Sequence, residues 1–528
     1  MSRSLPRRVV AVATALAVVA VLSACATGGA ASSPIRVGWS GEFPPLDPAA
    51  SDSFGSFAFL TQIYPSLLVV EAEQPDPVPE IAEWAEWTEE GLYTVVLKPG
   101  LEFANGNALT ASDVKFSLER QLALRSEDGA WRRLANLDSI EIVDDTTIKF
   151  RLGVPLDTGF PFVLAGPAGL VLDEETFFAD ELTSDDDIVE AQPFAGPYAL
   201  EARSGDRVDL IPFAGFGGAP LAATALELRV GGSTDLTRQL SEASIDVLTG
   251  RLAVDTVEAL ADDDEVDMAR AASGRVRMLA FDLGYMPFGS RTETPNADQA
   301  AAVRVAISEI VDRQALADSI GANWVNPAFG YIPDGVPGSA DVFTAVHGDG
   351  EGGPDLEQAA AVLAAQQIAT PVELSIHVAL DQVGEPGSAE VAGLAEQLDD
   401  SGLFSVTVIE TDSDELGAAL VAGEVQSMFT SLLPGTGDPR EYLEPFRSAG
   451  LLAPGFSSSG VDALLDRSTT EADPAVRAAT WLETQAAIAE ALPAIPITQG
   501  VRVVFVRGTI SGFGLDDALA LDLSRLRR

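Results

Sequence analysis

One cysteine, two histidines and 80 acidic residues are the chain's stock of candidate nucleophiles, bases and metal ligands, and their placement argues against most chemistry. The cysteine, Cys25, ends the run Leu22-Ser23-Ala24-Cys25, which follows Arg3, Arg7, Arg8 and an apolar stretch from Val9 to Leu22. Positive charge, apolar run and small-residue site in that order form an export signal closing on a lipobox. The run is shorter than the roughly 20 residues that cross a bilayer as a helix. Residues 1–24 are therefore expected to be a signal peptide, Cys25 a thioether lipid attachment, and 25–34, small and polar from Ala26 to Ser33, a lipidated tether. Arg7-Arg8 leaves Sec and twin-arginine export both open, although the residues after it match the twin-arginine signal poorly. A lone cysteine excludes an intrachain disulfide. With Cys25 committed to an anchor, a cysteine nucleophile and the usual Cys and His zinc set are missing as well.

The histidines offer little more. His377 falls on the polar side of the alternating stretch Val372, Leu374, Ile376, Val378, and His347 lies in the glycine-rich His347-Gly348-Asp349-Gly350; both are expected to face solvent. No phosphate-cradling GxxxxGK[ST] loop occurs, and Gly215-Phe216-Gly217-Gly218 lacks the strand, helix and acidic residue of a dinucleotide fingerprint. Asp185-Asp186-Asp187 and Asp262-Asp263-Asp264 are not spaced as a calcium loop and read as loop or helix-end charge. No catalytic residue, metal or cofactor is assigned. Chance carboxylate pairs among 80 acids keep a hydrolase as a remote alternative. A net charge of −48 excludes a nucleic-acid partner, which would need clustered Lys and Arg to displace counterions.

A chain of 528 residues with 47% hydrophobic composition fills more than one domain. Ile35 to Trp39 reads as a strand running into the turn Gly41-Glu42-Phe43-Pro44-Pro45-Leu46-Asp47-Pro48, and Phe57 to Val70 as a buried helix leading to a strand. Leu92 to Leu97 is a strand, and Thr110 with Asp113 opens a capped amphipathic helix carrying Val114, Leu118 and Leu122. Asp144-Asp145 turns a hairpin between Ile140–Val143 and Thr147–Leu152. Helices are expected at Ala302 to Leu316, at Leu356 to Ala365 capped by Asp355, and from Asp473-Pro474 through Trp481 and Ile488. Val372–Val378, the helix around Val391 to Leu398 and Val406–Ile409 form a β-α-β crossover; further strands fall near Gln426 to Phe429 and Val501 to Val506.

Four ordered blocks of the chain resemble the extracellular solute-binding protein family 5, which holds dipeptide, oligopeptide and nickel-binding proteins. They are Ile35-Arg36-Val37-Gly38 to Pro45-Leu46-Asp47-Pro48 with Ile63-Tyr64-Pro65-Ser66-Leu67-Leu68; Pro79 to Trp84 with Lys98-Pro99-Gly100-Leu101-Glu102-Phe103 and Leu109 to Leu118; Ala302 to Arg313 with Pro327 to Pro337; and Gly460 to Leu465 with Leu492 to Ile497.

The resemblance implies an α/β, type II periplasmic-binding-protein-like fold of two lobes, with an extra subdomain and a ligand cleft between the lobes. Domain I would comprise 35–70, 190–276 and 497–528, domain II 71–189 and domain III 277–496. It implies a non-enzymatic monomer of an ABC importer, held by its lipid on the outer face of the cytoplasmic membrane. Closure on a peptide or small solute would present that solute to permease and ATPase subunits. A sensory or interaction receptor on the same fold is the alternative, and a nickel ligand is conceivable only as a chelate. By the same resemblance the ligand would meet Gly41, Glu42 and Phe43 on one lobe and the segment Phe429, Leu432, Leu433, Gly435, Thr436, Asp438 on the other; Glu42 reads equally as an exposed loop acid. Trp324, Phe329 and Tyr331 are candidate apolar walls by residue type, with core or lobe-surface packing the favoured alternative for each. The sequence departs from the family at Gly435, where members that bind free peptide N-termini carry an aspartate to compensate the buried ammonium. Asp438 is the substitute within reach in sequence.

Overall fold

The computed structural model describes residues 33–71, 74, 76–219, 224–250, 252–321, 324–450, 452–508, 510–512 and 523–528. Cys25, the signal sequence and the tether as far as Ser32 lie outside the described residues. The strands are β1 (Ile35–Ser40), β2 (Leu68–Val69), β3 (Val78–Pro79), β4 (Ala82–Glu89), β5 (Leu92–Leu97), β6 (Leu137–Ile142), β7 (Thr147–Leu152), β8 (Tyr198–Ser204), β9 (Arg207–Pro212), β10 (Leu226–Gly231), β11 (Val247–Gly250), β12 (Val266–Phe281), β13 (Val325–Pro327), β14 (Val372–Ala379), β15 (Phe404–Thr411), β16 (Ser427–Leu432) and β17 (Ala494–Arg507). One continuous sheet runs in the order β15-β14-β16-β12-β17-β11-β1-β10-β9-β8, with β13 added to β17. The order β4-β5-β7-β6 forms a separate antiparallel sheet.

Apolar burial gathers around three main centres. One packs Val276 to Phe281 with the helices of the second half, down to Trp481, Ile488 and Ile497. A second unites Ile35 and Val37 with Tyr64, Tyr198, Leu226, Val247 and Val504, residues remote in sequence that the parallel pairing of β1 with β10 and β11 brings together. The third lies under the four-stranded sheet, where Val95, Ile148 and Phe150 meet Val114 and Leu118 of the helix Ala111–Leu124.

Local signals translate directly where the partners are close in sequence. Thr110 and Asp113 form a reciprocal capping box, Asp144 closes the β6–β7 hairpin by accepting from the Thr147 amide at 3.3 Å, and Asp473 caps the helix Pro474–Ala491. β14 pairs in parallel with β15 across the helix Leu380–Asp400, the expected crossover. Two expectations need correction. The stretch read as one helix from Ala302 to Leu316 is two helices, Ala297–Ile310 and Arg313–Ile320: Val311 turns extended, and Asp312 starts the second by accepting from the Ala315 amide. Nor do the histidines face solvent. β14 is interior to the sheet, between β15 and β16, and leaves His377 5% exposed. The His347 ring sits between a Glu309 carboxylate oxygen and the Ala489 carbonyl, each at 3.2 Å.

Candidate functional site

The long strands β12 and β17 pair antiparallel almost throughout, and their register shifts twice near the middle, a larger break between Ala272 and Val276 and a smaller one between Arg277 and Met278. Ala272 opposes Val501 and Val276 opposes Gln499, so Ser273, Gly274 and Arg275 stand against the single residue Gly500. A bulge of this kind bends a strand and weakens its ladder locally. Gly274 takes φ +70°, where a side chain is strained. A Cβ at Gly500 would fall 2.4 Å from Ser273 Oγ.

Register shows what faces this break. β17 runs antiparallel to β11, with Val247 opposite Val506, so β11 and its parallel neighbours β1 and β10 end toward the break at Gly250, Ser40 and Gly231. On the other side β16 runs antiparallel to β12, with Ser427 opposite Phe281 and Leu432 opposite Val276. β16 and its parallel neighbour β14 therefore also end toward the break. Two sets of parallel strands thus turn their carboxyl ends toward one bend, the place where open α/β sheets hold ligands.

Half of the residues singled out in the sequence lie at or beside strand ends that face this break. Gly41 continues β1 with its amide bonded to the Gly231 carbonyl at 3.2 Å; Gly41 and Glu42 are exposed, and Phe43 packs edge-on against Phe59 at 5.1 Å beneath the Arg203 guanidinium. Trp324 precedes β13 and accepts from the Val501 amide at 2.8 Å, one residue past the break; its indole N–H is buried without a partner. Leu432 and Leu433 are half-buried at the end of β16. Two others lie inside the second half's core. Phe429 is 1% exposed there, and Tyr331 is enclosed by Phe343 and Phe446 with its hydroxyl donated to the Ala494 carbonyl at 2.8 Å. Phe329 is half-buried at the edge of that core, beside Arg313.

The segment after β16 leans on the subdomain. Gly435, Thr436 and Asp438 are buried; a Cβ on Gly435 would approach Arg133 Nη2 to 2.9 Å, and one on Gly166 would approach Thr436 Cγ2 to 3.1 Å. Both Asp438 oxygens are engaged by Arg440, at 2.9 Å from its amide and 2.7 Å from Nη2, so this carboxylate already has its cation. Arg440 also reaches Asp157 at 3.1 Å. Burial works against its charge, yet Asp438 and Asp157 together lift its pKa above the ordinary arginine value. Arg133 is bracketed similarly, by Asp52 at 3.0 Å and Glu441 at 2.5 Å. Burial raises the Glu441 pKa against the pull of Arg133. Arg133, Arg440 and Glu441 were not read from the sequence, because a contact 308 positions apart leaves no local pattern.

Among the described residues, the one carboxylate group close enough to hold a metal, Asp113, Asp173 and Glu175, is used internally. Asp113 caps its helix and accepts from the Glu174 amide, and Asp173 accepts from Asn105 and Asn107.

Strand ends of two half-sheets meeting at a bend of two crossing strands define a type II periplasmic binding fold, in which a solute is held between lobes. The chain belongs to the bacterial extracellular solute-binding proteins, family 5, whose middle region matches residues 76–451; members of this family are binding proteins. It is 26% identical over 262 residues to the probable D,D-dipeptide-binding periplasmic protein DdpA of Escherichia coli (strain K12), covering 49% of this chain and 48% of that protein. The chain thus spans about half the length of the first curated relatives it matches. Di/tripeptide-binding protein 2 of Pseudomonas aeruginosa (strain UCBPP-PA14) aligns more fully, 23% identical over 514 residues with 91% of this chain and 92% of that protein. In fold it is similar to HbpA2 from Haemophilus parasuis, with a TM-score of 0.78, 18% identity, and coverage of 94% of this chain and 99% of that one.

Proposed function

We propose that this protein is the exported capture subunit of an ABC importer, anchored by lipid at Cys25, which grips a peptide or similar small solute between two lobes and delivers it to a permease. In this reading domain I is built from 35–70, 190–276 and 497–528, domain II from 71–189 and domain III from 277–496. The observation that carries it is the break of β12 against β17, toward which both lobes turn their strand ends. A ligand touching both lobes favours the closed form. A preference of about 2 to 3 kcal/mol shifts the closed-to-open ratio roughly 30- to 150-fold, enough for a permease to tell loaded from empty receptor. Peptide as the solute is supported by the names of the two bacterial relatives. A free peptide N-terminus is not specifically supported, because Asp438 is paired with Arg440 and Gly435 offers no carboxylate. The test is mass spectrometry of solute co-purifying with the protein, followed by calorimetry with that solute, with di- and tripeptides and with unrelated small molecules. The reading expects 1:1 binding without turnover. Catalytic conversion of the bound compound, abolished by a single carboxylate substitution, would overturn it.

A further inference from the structure

Resting on the two-lobe reading, we infer that the turn Arg440–Leu443 is a latch, through which the chain's own ion pairs hold the lobes together and register the state of the hinge. Three consecutive side chains leave this short helix in three directions. Arg440 reaches Asp157 of the subdomain at 3.1 Å, and Glu441 reaches Arg133 of the subdomain at 2.5 Å. Arg133 is itself held by Asp52, just after the turn that follows β1. Tyr442, wholly buried, donates its hydroxyl to the carbonyl of Gly274, the bulged residue of the hinge. A rotation of one lobe against the other at Gly274 therefore acts directly on the turn that carries both ion pairs.

Further contacts support the same junction. The Thr158 amide and hydroxyl donate to the carbonyls of Thr469 and Ser468, at 3.0 and 3.2 Å, and Arg477 pairs with Asp76. Each of these joins residues of 71–189 to residues of 277–496. The Asp157 and Arg440 side chains are 17% and 18% exposed, sheltered enough for an attraction that a surface pair would not provide. Asp52 and Glu441, approaching from opposite lobes, would make a site for a cationic ligand group; Arg133 already stands between them. Protein contacts thus add to closure at this end of the cleft, and solute recognition, which completes closure, is left to the hinge end.

The test uses the chain with Cys25→Ser and no solute. Spin labels at Glu141→Cys and Val421→Cys, both exposed, report the lobe separation. The unaltered latch should give a measurable short-distance population beside a larger open one, which a verified solute then enlarges. Arg440→Gln should lower the closed-to-open ratio at least about tenfold. Gly159→Ala should do the same without removing a charge, because its Cβ would fall 1.2 Å from Arg440 Nη2 and evict that side chain from between its carboxylates. Arg440→Lys should restore part of the short-distance population. If Arg440→Gln does not fold, Gly159→Ala and Asp157→Asn decide. Ratios within about twofold of the parent in folded variants would overturn the latch. Because no solute is present, that outcome leaves solute-driven closure standing, whereas a working latch with no response to a verified solute would refute the import reading alone.

Discussion

Asp47 and Arg120 offer a sharp test of how the first lobe is joined to the subdomain. Asp47 follows the turn after β1, and Arg120 lies on the helix Ala111–Leu124; their side chains are 2% and 1% exposed and meet in a two-pronged pair at 2.8 and 2.6 Å. Asp47 also accepts from the amides of Ala49 and Thr183, while Arg120 donates to the carbonyls of Phe178 and Glu181. Four Arg120 donor bonds and both Asp47 oxygens are engaged, so removing one partner leaves a buried charge without compensation, a loss of about 3–5 kcal/mol. Asp47→Asn keeps the shape and loses the charge, and is expected near the lower end of that range. Arg120→Met also orphans two carbonyls and is expected near the upper end. The double variant should be less destabilised than the sum of the singles by about 1–3 kcal/mol. Urea unfolding followed by tryptophan fluorescence, with each transition fitted separately, measures these differences. Losses under about 1 kcal/mol, or strictly additive singles, would refute the view that this pair locks the first lobe and subdomain into one body.

Other consequences are testable in the same protein. Glu390 is fully buried, with its pKa raised by that burial, and bridges Arg277 of β12 to Thr498 of β17 on the second-lobe side of the hinge; Glu390→Ala should cost about 3–5 kcal/mol of stability by urea titration. Asp246 is subject to burial, which raises its pKa, but Arg36 and Arg528 outweigh it and leave the folded value below 3.8. Its contribution is therefore complete above the unfolded value and disappears as pH falls through the folded one. The stability gap between parent and Asp246→Asn should be constant near neutrality and shrink on acidification below about pH 4; a gap independent of pH down to 2 would contradict this. Cys25→Ser should move the protein from the membrane to the soluble exported fraction, scored by fractionation and by loss of lipid mass.

What the sequence made legible was what neighbours decide. The Thr110–Asp113 cap, the Asp144 turn and the β14-to-β15 crossover each depend on residues a few positions or one helix apart, and their side-chain periods expose them. β12 was not legible over most of its length: Val266 to Arg275 shows no alternation, and this half is held extended by β17, more than 200 positions away. The helix boundary at Val311-Asp312 was hidden because apolar spacing continues across it while the backbone does not. Of the candidate cleft, local patterns marked the strands β1 and β16, and only the family resemblance pointed to the loops after them. The arginines bracketing the junction were not, since a surface helix and a buried ion pair use the same residue types.

The central claim is that a solute is held at the bend of β12 and β17 and draws the lobes together. Small-angle scattering of the chain before and after saturation with a solute verified by mass spectrometry tests it most directly. The account predicts a smaller radius of gyration with solute, and loss of that change when Gly500→Val blocks the packing of the bend against Ser273. Superimposable profiles with a solute of proven 1:1 affinity would contradict it.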